Sequence, residues 1–252
     1  MPLSKQFVIE VRLDRPRVPS FDRYPFSLPA IRQLSTLGLD PSVTFFVGEN
    51  GSGKSTLLEG IAIACGFNPE GGSRNFRFNT RVSHSDLHKR LRIVRGVRRE
   101  RTGYFLRAEA FYNLASNMDE LDAEPAAAPL IRDAYGGTSL HEQSHGESFW
   151  ALLTKRFSPA GLYLLDEPEA ALSPTRQLAA LARIHDLVNG GAQFIIATHS
   201  PILMSYPKAQ ILRFDADGIQ PVMYTETEHF RTTRDFLHDH NGALRKLLSD
   251  EG

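Results

Sequence analysis

The chain carries a single cysteine, Cys65, so it has no intramolecular disulfide to draw on. Cys65 follows an apolar run and reads as a small core residue, not as a redox or metal centre. A charge of one sign is also missing. The 29 basic and 29 acidic side chains cancel, which leaves no overall bias toward nucleic acid or membrane. No apolar stretch approaches the roughly 18 residues that cross a bilayer. The amino terminus, MPLSKQFVIEVRLDRPR, alternates apolar and polar residues and lacks the apolar centre and small-residue cleavage site of a secretory leader. Together these absences set the expectation of a cytoplasmic protein. Internal repeats and coiled-coil heptads are missing too.

What is present is enough for a core: 41% of the 252 residues are hydrophobic, which suits one domain with or without an appended lobe. Val8 to Leu13 reads as a strand. VTFFV, from Val43 to Val47, is a short apolar run of the kind buried on both faces. A glycine-rich turn and the helical spacing of LLEGIAIACGF follow. GLYLLDEP and QFIIATHSP repeat the pattern of an apolar strand ending in polar groups. Between them, SPTRQLAALARIHDLVNGG reads as a helix with a Ser173–Pro174 start and a Gly190 stop. AQILRFDADGIQPVMY predicts a hairpin over Asp215–Gly218. Strands alternating with helices indicate an α/β fold with a mostly parallel central sheet. From about 72 to 135 the character changes, and this stretch reads as a small inserted lobe. Within it, HKRLRIVRGVRRERTGYFLRAEAF predicts a hairpin turning near Arg95 to Arg99.

GENGSGKST satisfies G-x-x-x-x-G-K-[ST] between a buried strand and a helix. Gly48, Gly51 and Gly53 allow backbone conformations and close approaches that side chains would block. Asn50, Ser52 and Thr56 lie in the same turn and first helical residues. Successive N–H groups and the helix N-terminus then surround an anionic phosphate. Lys54 is placed to reach the β- and γ-phosphates of ATP, and the Ser55 hydroxyl to ligate Mg²⁺.

Leu162 to Glu167 ends an apolar strand in two carboxylates. Ligands of open α/β sheets gather beyond the carboxyl ends of the strands, where Gly48 also falls. Asp166 is the candidate for Mg²⁺ and Glu167 for polarising the attacking water as general base. As solvated acids at a strand end they would need neither role. His199 closes the third apolar strand, and its imidazole is placed to contact the γ-phosphate.

These segments resemble an ABC-class P-loop ATPase, of the soluble branch that includes chromosome-maintenance and double-strand-break-repair ATPases. The resemblance rests on GENGSGKST, QSHGES, LLDEPEAALSP and ATHSP. It implies a P-loop NTPase fold with flanking helices, ATP hydrolysis with Mg²⁺, and a homodimer in the ATP state. Gln143 to Glu147 resembles the family signature, whose Ser144 and Gly146 would cap the ATP of a second subunit; an ordinary helix N-cap reads the same segment equally well. Ala171–Leu172–Ser173 falls where the family has a dimer-contact loop. The family's glutamine at the end of a first-half strand has no clear counterpart, with Glu109 as a possible substitute. Tyr24, Phe26 and Arg12 are the candidates for the adenine contact.

Lys89, Arg90, Arg92, Arg95, Arg98, Arg99 and Arg101 cluster in the chain. They could bind double-stranded DNA or an acidic protein, or form a solvated surface balanced by MDELDAE. Other readings share the motifs: the nucleotide-binding subunit of a membrane transporter, a P-loop kinase for a small molecule, and a nucleotide switch with little turnover.

Overall fold

The computed structural model describes residues 6–74, 85–107 and 145–249. Strands β1 (Val8–Leu13), β2 (Thr36–Gly38) and β4 (Leu91–Arg95) form a small antiparallel sheet in the order β2-β1-β4. Strands β3 (Val43–Val47), β5 (Thr102–Leu106), β6 (Gly161–Asp166), β7 (Gln193–Ala197), β8 (Gln210–Asp215) and β9 (Gly218–Pro221) form the main sheet, ordered β5-β6-β7-β3-β8-β9. All its pairings are parallel except the β8–β9 hairpin, where Asp215 faces Gly218. The mostly parallel α/β fold expected from the apolar runs is present, and so is the terminal hairpin.

The helices are α1 (Pro29–Arg32), α2 (Lys54–Ala64), α3 (His145–Ala151), α4 (Pro174–Asn189), α5 (Pro201–Met204), α6 (Glu228–His238) and α7 (His240–Leu248). Every residue of β3, β6 and β7 is buried, because both faces of the sheet are covered. Adjacent β3 residues serve opposite layers. Phe45 packs with Tyr163, Ile184 of α4 and Phe194 on one face. Phe46 packs with Leu57 and Ile61 of α2, and with Val11 of the small sheet, on the other. Burial of each such ring contributes about 1.5–3 kcal/mol.

One buried amide joins the sheets. Gln193 Oε1 accepts from the N–H groups of Phe7 and Val8, both at 3.0 Å, and its Nε2 donates to Val8 O at 2.8 Å and Asp40 O at 2.9 Å. Its full hydrogen-bonding capacity is used.

Leu91–Arg95 and Thr102–Leu106 are not two arms of a hairpin: β4 pairs antiparallel with β1, and β5 pairs parallel with β6. Leu91 and Leu87 pack against the α2 layer, whereas Tyr104 and Leu106 face the α4 side. β4 buries one face against the α2 layer, whereas β5 is buried on both, with Phe105 on the α2 side and Tyr104 and Leu106 on the other. Much of the stretch 72–135 expected as a lobe lies outside the described residues.

Candidate nucleotide-binding site

The register brings the strand ends level. Phe46 of β3 is opposite Ala197 of β7, which is opposite Asp166 of β6. Gly48, Glu167 and His199 therefore emerge along one edge of the sheet. Gly48 takes φ +140°, and a Cβ there would lie 2.3 Å from the Phe214 carbonyl oxygen of β8. Only glycine lets the chain leave β3 so close to its neighbour. Gly51 and Gly53 are also left-handed, at φ +78° and +100°.

Lys54 opens α2 and is only 4% exposed. Its ammonium donates to the carbonyls of Gly48 at 2.7 Å and Glu49 at 2.8 Å. Burial lowers its pKa, while Glu167, Asp166, Glu49 and Glu169 oppose that shift. Ser55 donates its hydroxyl to Asp166 Oδ1 at 2.8 Å. Burial raises the Asp166 pKa to about 6; Glu167 adds to the rise, and the Ser55 bond, Arg107 and Lys54 oppose it.

Glu167 adopts φ +46° and ψ +51°, a left-handed conformation that costs a non-glycine residue of order 1 kcal/mol or more. Its N–H donates to Ala197 O at 2.9 Å, which ties the turn to β7. Its Oε1 lies 3.7 Å from His199 Nε2. The His199 backbone N–H donates to Glu169 Oε1 at 2.6 Å, and the His199 ring meets His229 of α6, Nδ1 to Nε2, at 2.9 Å. Burial lowers the His199 pKa, with Lys54 next in effect. Burial raises the carboxyl of Glu169.

These donors suit a polyphosphate with a divalent cation. The Ser52 hydroxyl is buried without a partner in the loop. Lys54 has a third N–H beyond the two spent on loop carbonyls. Ser55 and Asp166 supply oxygen, the ligand type Mg²⁺ takes.

Lys54, Ser55, Asp166, Glu167 and His199 are thus gathered at one edge, with Gly48, Gly51, Ser52 and Gly53 in the loop beside them. Ser144 and Glu109 lie outside the described residues; Gly146 is in the first turn of α3. The adenine candidates separate. Phe26 is core, and Arg12 pairs with Glu10. Tyr24 is 66% exposed, and its hydroxyl lies 3.2 Å from Thr56 Oγ1 at the start of α2. Ser173 caps α4 by accepting from Arg176 N at 3.4 Å. In the basic cluster, Lys89 pairs with Asp86 at 2.6 Å, Arg92 with Asp14 at 2.9 Å and Arg95 with Glu100 at 3.1 Å.

Glu169, His229 and Arg107 escaped the sequence reading. Arg107 follows β5 and pairs with Glu59 of α2 at 3.2 Å. Glu169 was visible as an acid two places beyond Glu167. His229 is visible only as part of TEHF, where Thr227 caps α6 by accepting from Phe230 N.

Family models match both halves of the site. "AAA domain" covers residues 27–118, with Lys54 and Ser55; "AAA domain, putative AbiEii toxin, Type IV TA system" covers 116–205, with Asp166, Glu167 and His199. Among solved structures, the chain is similar to cbiO1 of Clostridium perfringens, part of the ABC transporter complex cbiONQ. The TM-score is 0.47 and the identity 16%, over 96% of this chain and 100% of that one. It is also similar to the SMC head domain of Thermotoga maritima, with a TM-score of 0.42 and 17% identity over 86% and 100% of the two chains. No curated protein sequence matches it. Among the described residues, no helix is long and apolar enough to cross a membrane.

Proposed function

We propose that the protein binds ATP with Mg²⁺ at this edge and hydrolyses it to ADP and phosphate, two copies closing head to tail around two nucleotides. The observation that carries the reading is the meeting of three distant segments: Ser55 is bonded to Asp166, Lys54 is held within the loop, and Glu167 lies beside His199. Lys54 and the loop amides bind the β- and γ-phosphates, with Gly48, Asn50, Gly51, Ser52, Gly53 and Thr56 shaping the cradle. Ser55 and Asp166 would hold Mg²⁺, which would supply charge neutralisation at the phosphate oxygens. Glu167 takes the proton of the attacking water, and His199 contacts the γ-phosphate. Tyr24, exposed beside Thr56, stacks on the adenine. Ser144 and Gly146 complete the site of the second copy.

The closing of the dimer drives a partner, either a protein or double-stranded DNA. Lys89, Arg92 and Arg95 are paired with nearby acids, which leaves fewer unpaired cations in this cluster for DNA phosphates.

The test is steady-state phosphate release by wild type, Lys54→Ala and Glu167→Gln, with gel filtration of Glu167→Gln in ATP. Release without any acceptor, lost in both variants, together with an ATP-dependent dimer of Glu167→Gln, is the expected result. Binding without release in wild type would overturn hydrolysis, and a monomer at saturating ATP would overturn the dimer.

A further inference from the structure

His199 presents its two ring nitrogens to different neighbours. Nδ1 lies 2.9 Å from Nε2 of His229, and Nε2 lies 3.7 Å from the Glu167 carboxylate. Burial lowers the pKa of both histidines, which favours neutral rings with one N–H apiece. A bare Nε2 lone pair facing a carboxylate would be repelled, whereas an N–H there is attracted. The His199 proton therefore belongs on Nε2. Nδ1 is then an acceptor, and the hydrogen between the rings comes from His229.

We propose that His229, carried by α6, is a positioning residue: its Nε2–H donates to His199 Nδ1 and holds the His199 Nε2–H toward Glu167 and the phosphate site. Among the described residues, no group of three or more His, Cys, Asp or Glu side chains that could hold a metal ion is found.

The surroundings fix both partners. The His199 backbone is clamped by Glu169. The next residue, Ser200, donates its hydroxyl to Gln177 Oε1 of α4 at 2.5 Å. On the other side, Thr227 caps α6, Phe230 packs against Tyr224 with ring centroids 4.7 Å apart, and the Tyr224 hydroxyl donates to Pro201 O at 2.9 Å. The start of α6 is thereby anchored to α5, which begins two residues after His199. Helix α6 thus reaches the nucleotide site through one hydrogen bond, and a displacement of α6 would release the His199 ring.

The kinetic part of this inference rests on the proposed hydrolysis; the structural part does not. The test is long-range ¹H–¹⁵N spectroscopy of the imidazole rings in the full-length, nucleotide-free protein, with phosphate release measured on the same samples. Wild-type His199 is expected as the Nε2–H tautomer with Nδ1 in an acceptor state. His229→Phe loses that acceptor shift and lowers kcat about tenfold with little change in KM, the worth of about one hydrogen bond. His229→Gln, whose amide N–H can donate the same bond, restores both. An Nδ1–H tautomer in wild type, or a His229→Phe variant with wild-type spectra or turnover, would overturn the assignment. If wild type shows no Lys54-dependent hydrolysis, the proposed function fails by itself, and the spectra alone decide the role of His229.

Discussion

Replacing Asp166 with asparagine should stabilise the nucleotide-free protein while removing its use for Mg²⁺-nucleotide. Burial at the end of β6 raises this carboxyl from 3.8 to about 6. At about 1.4 kcal/mol per pKa unit, the ionised carboxylate costs the fold about 3 kcal/mol at pH 8. The sign follows from proton binding. Between about pH 4 and pH 6 the folded chain keeps a proton that the unfolded chain has lost, so the stability from this group falls across that interval and levels off above it. Asparagine retains an oxygen to accept from Ser55, whose hydroxyl lies 2.8 Å away, and it has no charge to bury. The assay is urea unfolding of wild type and Asp166→Asn without nucleotide at both ends of the range. The variant is expected to gain about 3 kcal/mol at about pH 8 and less than about 1 kcal/mol at about pH 4. Mg²⁺ with ATP should reverse the ranking by stabilising wild type alone. Equal stabilities at both pH values, or a variant weaker at pH 8, would refute the reasoning.

At Gly48 both the φ of +140° and the 2.3 Å approach to Phe214 O exclude a side chain. Gly48→Ala should lower stability by about 2–4 kcal/mol and weaken binding of a fluorescent ATP analogue, and an unchanged urea midpoint would contradict the geometry. Gln193→Leu leaves the Phe7 and Val8 N–H groups and the Val8 carbonyl buried without their partner. A loss of about 4 kcal/mol or more is expected by the same method, and a loss under about 1 kcal/mol would show that the sheets do not depend on it. Burial pushes the Cys65 thiol up to about 11. It should resist alkylation at about pH 8 in the folded chain and react completely in denaturant; rapid native labelling would remove it from the core.

The strands that carry the site were legible because they are buried on both faces. VTFFV, GLYLLD and QFIIA are short apolar runs, and each leads directly into a site segment: the glycine-rich loop, Asp166–Glu167 and Thr198–His199. The α4 boundaries were legible from Ser173–Pro174 and Gly190, where the cap and stop fall. The β4–β5 hairpin was misread because alternation states that a strand has a buried face but not which sheet receives it. Glu169 and His229 were not assigned because their roles are tertiary. Glu169 meets a backbone N–H 30 residues away, and His229 meets a ring 30 residues away; no local spacing encodes either contact.

Gln193 also bears on how the chain is made. Its partners Phe7 and Val8 precede it by 186 and 185 residues. At about 5–20 residues per second, a ribosome needs roughly 10–40 s to make that interval. For that time the amino-terminal strand, with Val8 and Val11 destined for the core, waits without the amide that ties it to the rest. The nascent chain therefore presents an unfinished edge until β7 is made, and its dependence on chaperones should be set by that arrival.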